Sequence, residues 1–148
     1  MYGMNIKASE QTGVLGAINP SSQAVGTLTT GWISAANYQK FLAIVQTGVL
    51  GAAATVDCNI QQALDGAGTG AKAIAGAAIA QLSGAGGANV QAEINLDAQQ
   101  LDVEGGFGFI NVSVIVGAAA SQTSALLLGF APRFAPVTNA ATVAQVVG

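Results

Sequence analysis

The sequence predicts an all-β fold: an antiparallel β-sandwich or jelly-roll-like domain with extended N- and C-terminal arms. Two observations carry this prediction. Short runs alternate apolar and polar residues with a period of two, the pattern of half-buried antiparallel strands. Glycine-rich turn clusters separate those runs at short intervals, as in sandwiches and barrels. A third observation sets the scale. The 148 residues suffice for one domain with one sizeable core.

The elements follow in chain order. Thr27 to Ile33, with Trp32, opens the folded domain as a strand. Phe41-Leu42-Ala43-Ile44-Val45 is a continuous apolar run of strand length, expected to be buried on both faces. Thr47-Gly48 and Leu50-Gly51 then read as a hairpin connection. Thr55 to Gln61 sets Val56, Cys58 and Ile60 on one face and polar residues on the other. Asp65-Gly66-Ala67-Gly68-Thr69-Gly70 reads as a loop. Residues 71–82, AKAIAGAAIAQL, are alanine-rich enough for a helix, but Gly76 at the centre disfavours one. Two short strands bent at Gly76 are preferred. Ser83 to Gly87 is a second loop. Val90 to Asp97 alternates over eight residues. Ala98 to Leu101 reads as one helical turn capped by Asp97. Glu104-Gly105-Gly106 leads into the Phe107 strand, whose Ile110, Val112, Val114 and Val116 alternate with their neighbours. Ala125 to Leu128 is the last apolar run. The predicted core comprises Val56, Cys58, Ile60, Val90, Ile94, Leu96, Val112 and Val114. Pro20, Pro132 and Pro136 bracket the folded part. The expected organisation is an N-terminal arm at 1–22, a β domain at 23–133 and a C-terminal tail at 134–148.

Composition narrows the function. Charged residues make up only 7% of the chain, with a net charge of −3, against about a quarter in ordinary globular proteins. Four cations cannot neutralise many phosphates, so no nucleic-acid partner is expected. One cysteine excludes a disulfide scaffold. Histidine is absent, which removes the usual general base and the usual zinc ligand. The N-terminus shows no secretory pattern. The two long charge-free windows, 11–39 and 105–132, are interrupted by polar residues before a membrane span accumulates, so no membrane partner is expected. A surface made of Ala, Gly, Ser, Thr, Asn and Gln suits packing against other protein copies. An assembly component is therefore the first idea and a freely diffusing enzyme the second.

The candidate chemical motifs are weak, and no catalytic, cofactor-binding or metal-binding residue is assigned. Gly66 to Lys72 superficially suggests phosphate binding, but the glycine spacing is wrong and Ala73 follows the lysine. Glu93, Asp97, Asp102 and Glu104 gather four of the seven acids. Asp97, Asp102 and Glu104 could form a weak calcium site, but the spacing is not that of an EF-hand, and solvated surface or a salt bridge between subunits is the better reading. Cys58 shares a face with Val56 and Ile60 and reads as a buried thiol. Asn111-Val112-Ser113 matches a glycosylation acceptor by chance. Arg133, the sole arginine, is either an interface residue or a solvated one. Gln11 to Ala17 recurs as Gln46 to Ala52. The plain explanation is coincidence in biased sequence, since repeat arrays need at least three units. The sharper one makes residues 11–17 an arm that pairs with a neighbouring subunit.

The segments GTGAKAIAGAAIAQL (68–82), AEINLDAQQLDVEGGFGFINVSVIV (92–116) and SALLLGFAPRFAP (124–136) resemble small virion proteins of tailed bacteriophages, of the capsid decoration or cement type. The resemblance spans about half the chain and concerns a structural pattern. It implies a β-rich protein on the capsid surface, made in the host cytoplasm. The implied partners are the major capsid protein and further copies of the chain, with a trimer among the arrangements to test. No cofactor follows from it, and no enzymatic activity. The alternatives are a tail or neck component (a tube or head-completion protein), and a carbohydrate-binding or adhesin module with Trp32 as its stacking residue.

Overall fold

The computed structural model describes residues 4–148. Its strands are β1 (Gly13–Gln23), β2 (Gly26–Thr29), β3 (Ile33–Ser34), β4 (Tyr38–Leu50), β5 (Thr55–Ala63), β6 (Lys72–Ala78), β7 (Leu82–Ser83), β8 (Gln91–Asp97), β9 (Phe109–Gly117) and β10 (Ser121–Pro132). Two single helical turns, α1 (Ala8–Gln11) and α2 (Gly84–Gly87), and a 3-10 turn at Ala98–Gln100 complete the elements.

The strands form two antiparallel sheets. The first has the order β1-β10-β4-β8 and the second β2-β9-β5-β6, with β3 added to β9 and β7 to β5. Leaving aside the two-residue strands, the first strand pairs with the last, the second with the seventh and the fourth with the fifth. That is a long hairpin rolled into a sandwich, a jelly roll. The predicted all-β sandwich is therefore the observed fold.

The alternating runs fold as read. Val56, Cys58 and Ile60 of β5, Ile94 and Leu96 of β8, and Val112 and Val114 of β9 all lie in one buried cluster. Phe41, Ala43 and Val45 face them from β4 and Leu127 from β10. Val90 is half-buried and precedes β8, so it lies at the margin of the predicted core. The 3-10 turn follows Asp97 as expected, and Gln100 Oε1 accepts from the Asp97 amide at 2.8 Å.

Several boundaries differ. The N-terminal arm expected at 1–22 overlaps β1, which pairs with β10 from Gly13↔Gly129 to Gln23↔Ser121. Register shifts after Val14 and after Ile18 break its alternation, which hides the strand in the sequence. Residues 1–3 of that arm lie outside the described residues. The 11–17 copy of the short repeat pairs within the chain's own sheet rather than with a neighbour. It sits opposite the far end of β10 from the 46–52 copy, so the two copies are not structurally equivalent. The expected hairpin between the 41–45 and 55–61 strands is instead a crossing between sheets, since β4 and β5 belong to different ones. Residues 71–82 are strands, but the break falls after Ala78. Gly76, at φ 78°, lies within β6, where the pairing with β5 shifts register. The 27–33 strand is split by Gly31, at φ 82°.

Candidate functional site

The two outer faces of the sandwich differ in chemistry. On the outer face of the second sheet, Thr27, Ile115 and Asp57 stand side by side, as do Thr29, Ser113 and Asn59. Most side chains on this face are polar, although Ser113 is buried and Ile115 is 40% exposed. Asp57 accepts a hydrogen bond from Gln81 there at 2.8 Å.

The outer face of the first sheet is aliphatic. Ala17, Leu126 and Ile44 form one row across β1, β10 and β4, ending on Glu93 of β8. Val14, Leu128 and Leu42 form the next, ending on Asn95. Leu126 is 42% exposed, and Ala17, Leu42, Ile44 and Leu128 are half-buried. The run at 41–45 was expected to be buried on both faces. Phe41, Ala43 and Val45 are buried, whereas Leu42 and Ile44 face outward and are only half-buried. Beyond the aliphatic rows the same face turns to hydroxyls and amides. Ser22, Gln46, Gln122 and Ser124 line a shallow cavity of about 420 Å³. The charged residues of the face, Lys40, Glu93 and Asp97, lie on β8 or beside it, and Lys40 pairs with Asp97 at 2.7 Å.

The residues considered for other chemistry are placed differently. Asp97 is held by Lys40, and Asp102 by Lys72 at 2.6 Å. Among the described residues no three acids, cysteines or histidines gather into a group able to hold a metal ion. Asp102 carries a carboxyl below its usual range, through the Lys72 hydrogen bond first and the Gly105 amide second. Lys72 also sits 4.0 Å from the centre of the Phe107 ring. The 65–70 loop is organised by Asp65, which accepts from the amides of Ala67 and Thr69 and from the Thr69 hydroxyl. Cys58 is buried, and burial pushes its thiol up to about 12. Asn111 is buried in β9, where no glycan could be attached without unfolding the strand. Trp32 is half-buried and its indole packs on Gly68, where a Cβ would lie 2.3 Å from Nε1. It is not a free stacking platform. Among the described residues no helix is long and apolar enough to cross a membrane.

Sequence reasoning missed the aliphatic outer face. The signal was present in Leu42, Ile44, Leu126 and Leu128, which occupy the alternate positions of two runs apolar at every residue.

No protein-family model matches the chain, and no curated protein matches it. Solved structures with similarity to it include a chain of infectious bursal disease virus strain Gt, at 13% identity and a TM-score of 0.45, covering 82% of this chain and 33% of that one. A chain of broad bean stain virus is similar at 10% identity and a TM-score of 0.42, covering 78% and 64%. Tobacco necrosis virus gives 9% identity and a TM-score of 0.36, covering 83% and 94%. The chain thus spans about a third of the birnavirus chain.

Proposed function

We propose that this chain is a structural virion protein that binds an assembled phage capsid and stabilises it, a decoration or cement subunit without enzymatic activity. The observation that carries the proposal is the outer face of the first sheet. A jelly roll alone does not choose a role, since capsid, lectin and cupin domains share it. A solitary sandwich gains solubility from charge on both outer faces. Here β1, β10 and the middle of β4 place two aliphatic rows and an amide-hydroxyl stretch on one surface, with the charges on β8 or beside it. Such a surface fits extended contact with protein, an apolar centre with a polar rim. A subunit that binds only the closed shell stabilises that shell by mass action. The carbohydrate-binding alternative loses its stacking residue, because Trp32 is engaged on Gly68.

The test is quantitative mass spectrometry of virions produced from the genome that encodes the chain. Decoration requires a copy number comparable with that of the major shell subunit, and shells stripped of the chain should rupture at lower temperature. A copy number matching a single ring would assign the chain to the neck or tail instead. Absence from the virion would end the structural reading.

A further inference from the structure

Strand β8 ends the first sheet on one side and pairs with β4 alone. We propose that its open edge takes residues 141–148 of a neighbouring copy as a fifth strand, so that copies join tail to edge. The inference goes beyond the proposed attachment to shells and is tested without them.

The edge is a regular backbone ladder with one side unpaired. The Thr47 amide donates to the Val90 carbonyl at 3.0 Å, and the register from Gln46↔Gln91 to Lys40↔Asp97 runs without a shift. Ladder bonds alternate along an antiparallel strand. Ala92, Ile94 and Leu96 therefore bond to β4, while Gln91, Glu93 and Asn95 turn their amides and carbonyls outward. The Asp97 amide, next in the outward series, is taken by Gln100 Oε1 at 2.8 Å. Among the described residues nothing bonds to the other three amides. Such an edge is a template for strand addition. The other edges are irregular or covered. β1 carries Pro20 and two register shifts, and Val14 at its rim is bonded by Asn139 and Ala140. β6 shifts register around Gly76, and Gly31 lies between the short strands β2 and β3.

The tail supplies the occupant. Residues 141–148 form no strand and carry no charged side chain, and Val146 and Val147 are 57% and 83% exposed. Extended, the segment sets Ala144 and Val146 on one face and Val143, Gln145 and Val147 on the other. It cannot serve the edge of its own sheet. Ala140 is bonded outside β1 at Val14, five strand spacings, or about 24 Å, from the place beyond β8. The eight residues that follow span at most about 29 Å, so the crossing consumes them. A second β8 is also the wrong partner. In a two-fold pairing centred anywhere from Ala92 to Asn95, Glu93 stands opposite or diagonal to Glu93 or Asp97 of the other copy, and like charges so placed are unfavourable. The uncharged tail brings no such clash. A head-to-tail contact of this kind closes into a ring or runs on as a chain.

Sedimentation velocity of the full chain over a range of concentrations tests the contact, with a deletion of 141–148 and Asn95→Pro as variants. Proline at 95 removes an outward amide and none that bonds to β4. The full chain should associate as concentration rises. Each variant should raise the dissociation constant by about tenfold or more, with circular dichroism unchanged. Mixed in equal amounts, the two variants should form a heterodimer and nothing larger, because one keeps the edge and the other keeps the tail. Amide exchange of the unaltered chain reads the same edge should the proline disturb folding. The Glu93 and Asn95 amides should exchange rapidly in dilute solution and slow down on association. A monomer at every concentration overturns the inference. So does association that survives the deletion, a pair of variants that stay apart, or exchange at Glu93 and Asn95 that is equal in both states. Shell binding is measured separately. A shell-binding monomer sinks the tail contact alone, and an assembly that ignores shells sinks the decoration reading alone.

Discussion

The ring of Tyr38 occupies the space in front of Gly129, so that a Cβ on Gly129 would lie 2.6 Å from Tyr38 Cδ1. Gly13, the partner of Gly129 across β1 and β10, meets the same side chain, with a Cβ position 2.6 Å from the hydroxyl oxygen. Tyr38 also packs edge-on against Phe41 with ring centres 6.2 Å apart. Two glycines on neighbouring strands thus make room for one buried ring. Gly129→Ala should destabilise the domain by about 1–3 kcal/mol through overpacking. Gly108→Ala, which meets nothing within 4 Å, should stay within about 0.5 kcal/mol. Urea unfolding of both variants checks this, and equal midpoints would refute it.

Trp32 and Gly68 give a spectroscopic version of the same argument. The chain has one tryptophan, so its emission reports this contact alone. Gly68 combines φ 84° with the close indole, and any side chain there is strained twice. Gly68→Ala should shift tryptophan emission to the red and cost about 1–2 kcal/mol. An unchanged spectrum would show that the indole does not rest on the loop.

The alternating strands were legible because one face of each meets the core and the other meets solvent or a polar neighbour. Where that condition fails, so did the reading. β10 begins at Ser121 rather than Ala125 because Ser121 and Thr123 point inward and are buried, inverting the expected polarity. The Thr123 hydroxyl donates to the Gln46 carbonyl at 3.2 Å, a local bond that no composition reveals. β1 was hidden by Pro20 and its two register shifts. Which sheet each strand joins was not legible at all, since β4 and β5 are consecutive yet lie on opposite layers. The aliphatic outer face follows from that layering.

Cys58 should resist thiol reagents in the folded protein. Its thiol stays protonated up to about 12 against an ordinary 9.0, and the folded state therefore holds its proton where the unfolded chain has lost it. The contribution to stability is complete below pH 9.0 and declines as pH rises from there towards about 12. Tyr38, raised by burial above 10.0, adds a loss of the same sign from pH 10.0 upward. Labelling with an aromatic disulfide at mildly alkaline pH should follow unfolding. Rapid stoichiometric labelling of the native chain would contradict the burial.

Ile94 and Leu126 separate folding from attachment. Ile94 is 4% exposed, so Ile94→Asp places an unpaired carboxylate in the core and should unfold the domain. Leu126 faces outward beside Ile44 and Ala17. Leu126→Asp should change stability by no more than about 0.5 kcal/mol while abolishing attachment to shells. Thermal unfolding and co-sedimentation with shells read the two effects. If Leu126→Asp binds as well as the parent, the aliphatic face is not the contact.

The chain ends make the last prediction. The tail at 134–148 has no strand, yet it is tied to β1 and β4. The Asn139 side chain accepts from the Val14 amide at 2.8 Å, and the Ala140 amide donates to the Val14 carbonyl at 2.8 Å. The Val137 amide donates to Glu10, and the Tyr38 hydroxyl to the Thr138 carbonyl at 3.3 Å. Val137 packs against the core. These contacts end at Ala140 apart from the exposed bond between Lys7 Nζ and the Gly148 carbonyl, so the tail divides into a tied half and a loose half. Removing 141–148 should cost little, because an exposed hydrogen bond is replaced by water. Removing 134–148 strips the partner from the Tyr38 hydroxyl and from the edge of β1 at Val14, and should cost about 1–3 kcal/mol. Removing 1–18 deletes the first half of β1 with buried Gly13, Gly16 and Ile18. It uncovers β10 and should unfold the domain. Urea midpoints for the three truncations should therefore fall in that order. If the 134–148 deletion is as stable as the full chain, the tail is not part of the fold. If the 1–18 deletion folds, β1 is an arm after all and β10 stands as a stable edge.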